Sequence, residues 1–177
     1  DQNVEIKSLL DYPGYTEVEE SGSTFQENAE IKAVAACKYC DVPAFADDSG
    51  LEVEALDGAP GIFSARYAPT DSERIAKLLK ALEGKENRRA RFTCSIAIAV
   101  NGEAVATFTG HVYGVITDAP RGNNGFGYDP VFLPDGFDKT FGEMSEDEKN
   151  KISHRAAACR QAIEFVEDEM SILDDEF

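Results

Sequence analysis

The sequence predicts an α/β fold, a mixed twisted sheet with flanking helices, on three observations. Helical and strand periodicities alternate through the first half of the chain. Residues 90–100, ARFTCSIAIAV, form a β-rich run followed by Asn101-Gly102, the dipeptide of a two-residue hairpin. Three S/T-x-x-E sequences mark helix starts, because a hydroxyl and a carboxylate three residues apart satisfy orphan backbone N–H groups.

Taken in order, residues 3–10 read as the tail of a helix closed by Pro13-Gly14. Thr24-Phe25-Gln26-Glu27 is the first capping box and launches a helix to about Cys40, before Pro43. Residues 44–46 are a short buried strand that runs into Asp47-Asp48-Ser49-Gly50, a polar cluster at a strand end. Residues 57–61 are loop. Thr70 to Glu73 is the second box, and its helix carries Ile75, Leu78, Leu79 and Leu82 as one buried stripe ended by Gly84.

After the hairpin, residues 104–109 return antiparallel and a further strand is expected around residues 111–117. Residues 120–127 are loop, and residues 131–133 re-enter the sheet. Ser145 to Glu148 is the third box. Ser153 caps a last helix whose expected buried stripe is Ala156, Cys159, Ile163 and Val166. The whole chain, 1–177, reads as a single domain with an acidic tail over 168–177.

Composition excludes several function classes. With 34 acidic against 17 basic residues, the net charge of −17 repels nucleic acid, so no extended DNA or RNA groove is expected and any phosphate ligand needs local cations. No apolar run approaches the roughly 20 residues of a membrane span, and residues 1–10 lack the basic and apolar regions of a signal peptide. A cytoplasmic protein without membrane partners is expected. Cys37 and Cys40 form a C-x-x-C without a second Cys/His pair, and with Ala33 and Ala36 they share a helix face, which reads as core packing and not zinc.

Three groups of residues carry chemistry. Glu19, Glu20, Asp47 and Asp48 are hard oxygen ligands of the kind Mg²⁺ takes, and a carboxylate beside the metal can accept a proton from water; a solvated loop and a turn are the bland alternative. In GNNGFGYD, residues 122–129, glycines allow close approach and Phe126 and Tyr128 offer aromatic faces to a planar base, or else enter the core. Lys149, His154 and Arg155 form a local basic cluster at a junction of two helices. There is neither a P-loop nor a G-x-S-x-G elbow.

The segments EESGSTFQENAEIKA, FADDSGLEVEALDGAPGIFSARYA, GFGYDPVF and EKNKISHRA occur in an order that resembles the inosine/xanthosine triphosphate pyrophosphatase family, from about Glu19 to about Ile163. The resemblance implies two lobes around a central nucleotide-binding cleft, a homodimer, Mg²⁺ as cofactor, and hydrolysis of ITP, dITP and XTP to monophosphate and pyrophosphate, which cleanses the nucleotide pool. It assigns Asp48 as catalytic proton acceptor and metal ligand and Ser49 as substrate contact. Glu19 or Glu20 becomes a metal carboxylate, and Asp47 an additional ligand. Phe126, Gly127, Tyr128 and Asp129 become the nucleotide-binding segment, and Lys149, His154 and Arg155 the groups that recognise the purine. Arg155 is expected at the 6-oxo group, where a donor favours hypoxanthine and xanthine over adenine.

Family members open with a strand and a T-x-N-x-x-K loop that holds the triphosphate, and this sequence has no such segment before Val4; a truncated start is the expectation, there being no initiator Met. Two other readings stay open: a Maf-like nucleotide pyrophosphatase of other specificity, and a purine-nucleotide-binding module without catalysis.

Overall fold

The computed structural model describes residues 5–175. Four strands, β1 (Ala44–Val53), β2 (Arg89–Val100), β3 (Glu103–Ile116) and β4 (Phe132–Pro134), form one sheet in chain order, and every pairing among them is antiparallel. Four helices, α1 (Phe25–Cys40), α2 (Asp71–Ala81), α3 (Glu146–Ile152) and α4 (His154–Asp175), flank it.

The capping residues start the helices where the sequence places them. Thr70 and Ser145 make complete boxes with Glu73 and Glu148. Thr24 accepts from the Glu27 N–H at 3.1 Å, but Glu27 returns its carboxylate to Ser23 N–H at 2.6 Å. Asp41, in the left-handed region at φ 54°, closes α1 before Pro43.

Strand alternation decides what each face of the sheet buries. On one face, Ala29, Ala33 and Cys37 of α1 lie on Ala97 and Ala99, with Ala44 and Ala46 alongside. Small residues on both sides let helix and sheet approach closely. On the other face, Leu51, Val53 and Phe92 meet Ile75 and Leu78 of α2 and its C-cap Leu82, together with Phe132 and Phe141, each fully buried large side chain contributing roughly 1.5–3 kcal/mol. Further along that face Cys94 and Ile96 pack on Ala158 of α4.

Four sequence expectations are corrected. Residues 5–8 have no regular structure and Leu9–Asp11 is a single 3-10 turn, because Ser8 and Asp11 bond each other's backbone and close the turn locally; residues 3 and 4 lie outside the described residues. The DDSG cluster is not a strand end: Asp47 to Gly50 pair with Ile96, Ser95, Cys94 and Thr93 in the middle of β1. Strand pairing with β2 overrides the poor β propensity of these residues. The two strands expected after the hairpin are one 14-residue strand, β3, running straight through Gly110. The buried stripe of α4 runs through Ala158, with Ala162 and Phe165 packed beside it, while Cys159 and Ile163 are exposed. The helix is rotated so that Arg155 reaches the edge of β1.

Candidate active site

The site grows from the outer side of β1, the edge strand of the sheet among the described residues. Asp48 and Gly50 point to the α1 face, Asp47 and Ser49 to the α4 face, because neighbouring residues on a strand alternate. Gly50 is needed as glycine: a Cβ there would fall on Gly61 O and 2.6 Å from Ser64 Oγ, so the 3-10 segment Gly61–Arg66 lies directly against the strand. A cleft of about 480 Å³ opens at this edge, lined among others by Glu19, Glu20, Lys32, Asp48, Arg66 and Arg155.

On the α1 face Asp48 is 8% exposed. Its Oδ1 accepts from Lys32 Nζ at 3.1 Å, and Lys32 also lies 3.5 Å from Glu20, which Arg66 approaches at 4.0 Å. Burial raises the Asp48 carboxyl above the ordinary aspartate range; Lys32 opposes the rise, Glu20 adds to it, and the Asn28 amide opposes it. Asp48 Oδ2 and Asn28 Nδ2 are both buried without a hydrogen bond inside normal limits. Asn28 Oδ1 accepts from the Gly22 N–H at 2.8 Å, which ties the Glu19-Glu20 segment to α1. Two carboxylates sharing one cation, one of them with an orphaned oxygen, fit a hard divalent ion, which takes one or two protein carboxylates and fills its shell with water and phosphate. Among the described residues no group of three or more His, Cys, Asp or Glu is gathered tightly enough to form a closed, all-protein cage.

On the α4 face Arg155 donates from Nε to Asp47 Oδ2 at 3.0 Å and from Nη2 to Ser49 Oγ at 3.2 Å. Its guanidinium carbon lies 5.4 Å from the centre of the Phe126 ring, over which Lys149 Nζ also lies at 4.5 Å. Phe126 is 60% exposed, an open aromatic face beside two cations.

The loop bearing that ring is held from below. Asp129, buried, accepts from the Phe126 N–H at 3.0 Å and from Lys149 at 2.6 Å. The Gly127 N–H donates to Asp71 at 2.7 Å and the Tyr128 hydroxyl to Ser64 O at 2.9 Å, with burial raising the Tyr128 hydroxyl well above its ordinary value. Tyr128 is therefore buried and anchors the loop. His154 turns inward too, stacked on Phe92 with centroids 4.8 Å apart, and burial pushes its imidazole down to about 3.

The structure thus brings Glu19, Glu20, Asp47, Asp48, Ser49 and Arg155 around one cleft, and joins Phe126, Asp129 and Lys149 to it through Arg155. It separates Asp47 from Asp48 by face, and draws Tyr128 and His154 into the core. Sequence reasoning did not find Lys32, Asn28, Arg66 or Asp71. For the first two a signal existed: Asn28 and Lys32 are i, i+4 on α1, and a polar pair at helical spacing beside the alanine stripe marks the helix edge nearest the strand. Arg66 and Asp71 carry no such mark.

Comparison with known proteins follows the same geometry. The Ham1 family model matches residues 1–165. The dITP/XTP pyrophosphatase of Bacillus licheniformis is 54% identical over 163 residues, covering 89% of this chain and 83% of that protein. The dITP/XTP pyrophosphatase of Bacillus subtilis is 47% identical over 168 residues, covering 92% and 85%. Among solved structures, the Staphylococcus aureus Ham1 protein superposes with a TM-score of 0.85 at 45% identity, covering 91% of this chain and 85% of that one. A family model matched over residues 1–165, together with relatives near half identity over most of the chain and a shared fold, settles the kinship: this chain belongs to the Ham1 family.

Proposed function

We propose that the protein is a nucleoside triphosphate pyrophosphatase that hydrolyses dITP, ITP and XTP to the monophosphate and pyrophosphate, and so removes non-standard purine nucleotides from the pool. The observation that carries the reading is a buried carboxylate with an unpartnered oxygen, Asp48, facing the same cleft as Arg155. The activities in the names of the two Bacillus relatives support the substrate class.

Asp48 orients a water molecule and accepts its proton as the water oxygen bonds to the α-phosphorus. The bond between that phosphorus and the α–β bridging oxygen breaks, and pyrophosphate leaves. Desolvation makes the Asp48 carboxylate more basic than one in water, which suits it to that transfer. A divalent ion such as Mg²⁺, held by Glu20 and Asp48 with Glu19 on the rim, would supply charge neutralisation on the phosphates. Lys32 and Arg66 add positive charge on the same side, the local help that a chain of net charge −17 requires.

Phe126 stacks against the purine, Lys149 and Asp129 fix the loop, and Arg155 donates to the 6-oxo group. An amino group at that position would leave two donors facing each other, so adenine is disfavoured. The expected homodimer would be read by sedimentation. No described helix is long and apolar enough to cross a membrane; a cytoplasmic site of action is part of the proposal.

The test is pyrophosphate release from ITP, XTP, dITP, ATP and GTP, with and without Mg²⁺. Preference for the first three by about tenfold or more is expected. Equal rates on all five, or release that ignores Mg²⁺, would overturn the reading.

A further inference from the structure

We propose that Asp47 and Ser49 form a two-point dock that fixes the plane of the Arg155 guanidinium toward the purine, making Asp47 a positioning residue for base selection and not a metal ligand. The proposal rests on the function given above.

Residues two apart on a strand project from the same face, about 7 Å apart along the chain, and a guanidinium fork spans two such acceptors. Asp47 and Ser49 meet that condition, and Arg155 uses Nε on one and Nη2 on the other. Nη1 has no hydrogen-bond partner among the described residues, so its two N–H groups remain for a ligand. The Arg155 guanidinium carbon lies over the Phe126 ring, 5.4 Å from its centroid, and strand and ring together restrict the long side chain.

Asp47 is placed for this role and not for the metal. The pleat sends its carboxylate to the face opposite Asp48, where its neighbours are Arg155 of α4 and Cys94 of β2, whose thiol lies 3.9 Å from Asp47 Oδ2. Burial and the Asp47 charge push that thiol up to about 12, so it stays protonated and faces the carboxylate as a second donor. Two donors on one oxygen hold the Asp47 side chain still. Glu20 and Lys32, which surround Asp48, make no contact of this kind with Asp47.

A dock on a β-strand keeps the donor rigid, and a rigid donor discriminates because rotation cannot relieve the clash with an adenine amino group. The dock acts on the base alone, so its loss changes which purine is preferred without changing the demand for metal.

The experiment compares wild type with Asp47→Ala, Asp47→Asn and Ser49→Ala in the full chain. Binding of IMP and AMP is measured calorimetrically in EDTA, and the Mg²⁺ dependence of pyrophosphate release from ITP is measured separately. The expected result is IMP binding weakened about tenfold by Asp47→Ala and about threefold by Ser49→Ala, AMP binding changed less than about twofold, and half-saturating Mg²⁺ within about twofold of wild type. The Arg155 Nε–H proton is expected to be protected in wild type and to exchange freely in Asp47→Ala; Asp47→Asn, which keeps an acceptor oxygen but loses the charge, is expected to weaken IMP binding less than Asp47→Ala, and Ser49→Ala supplies the reading if the alanine variant at position 47 fails to fold. A raised Mg²⁺ requirement with the IMP preference intact would overturn the dock and leave the proposed function standing. Wild type that prefers neither IMP nor AMP would overturn both.

Discussion

Asp47 and Asp48 are adjacent on β1 and serve different cations from different helices: Asp47 accepts from Arg155 of α4 at 3.0 Å, and Asp48 from Lys32 of α1 at 3.1 Å. A strand edge is the one place where both sides of the pleat can border a single cleft. On the proposed reading the base side and the phosphate side are separated by one peptide unit, and each is expected to be perturbed alone.

Replacing Asp48 by Asn tests the phosphate side. The amide keeps the shape but cannot accept the water proton, so turnover is expected to fall by roughly 10²–10⁴-fold. The fold should hold, because a buried charge is exchanged for a neutral group. In wild type, with a folded-state value above the ordinary one, rate should decline as pH falls through that raised value, so the acid limb lies above the usual carboxylate range. Pyrophosphate release from pH 4 to 8 reads both; a variant as active as wild type would remove Asp48 from the role.

His154 is expected to make the protein acid-sensitive. Its imidazole is held neutral by burial, with a folded value of about 3 against an ordinary 6.5. The unfolded chain binds the proton more readily than the folded one between those values. Stability is therefore lost as pH falls from about 6.5 toward 3, by an amount on the order of a few kcal/mol. His154→Phe preserves the stack on Phe92 and removes the titration. The drop in Tm between pH 7 and pH 4.5 is expected to be smaller in the variant than in wild type, and an equal drop would exclude His154 as the cause.

Much of this was legible in the sequence because it is local. Capping boxes, the Asn101-Gly102 hairpin and the α2 stripe depend on residues within a few positions, and each lies where its pattern puts it. The distinctive segments likewise named the strand, loop and helix junction that border the cleft. What failed depends on partners far along the chain. The DDSG cluster reads as a strand end until β2 is known to pair with it, and the α4 stripe is set by the seat that β3 offers. Tyr128 and His154 are expected at the ligand, and their burial against Ser64 and Phe92, distant in sequence, is not readable from residue type. Arg66 and Asp71 entered through the fold alone.

Asp71 braces the base loop through its bond to the Gly127 N–H, and it also pairs with Arg74. Asp71→Ala removes a charge-assisted bond to a glycine backbone that has no side chain to steady it. KM for ITP is expected to rise severalfold while kcat changes little, because the proposed function assigns this loop to the base and not to the reacting phosphate. Steady-state kinetics decide it: a fall in kcat at constant KM would place Asp71 elsewhere in the cycle.

Gly110 seats the helix that carries Arg155. It lies in the middle of β3, and a Cβ there would fall on the His154 carbonyl oxygen and stand 2.6 Å from Ala158 N, both backbone atoms of the first turns of α4. Backbone cannot swing aside as a flexible side chain can, so Gly110→Ala must lift α4 from the sheet, at a cost of about 1–3 kcal/mol. Lifting the helix carries Arg155 away from Asp47 and Ser49, which sit on a different strand and do not follow. The variant should lose Tm and, at temperatures where it remains folded, lose preference for IMP over AMP. Gly114→Ala is the control, because its Cβ would meet Leu133 O and the Phe132 ring at the far end of β3, away from α4. That variant should lose stability and keep the preference; equal loss of preference in both would mean that helix seating does not control the base.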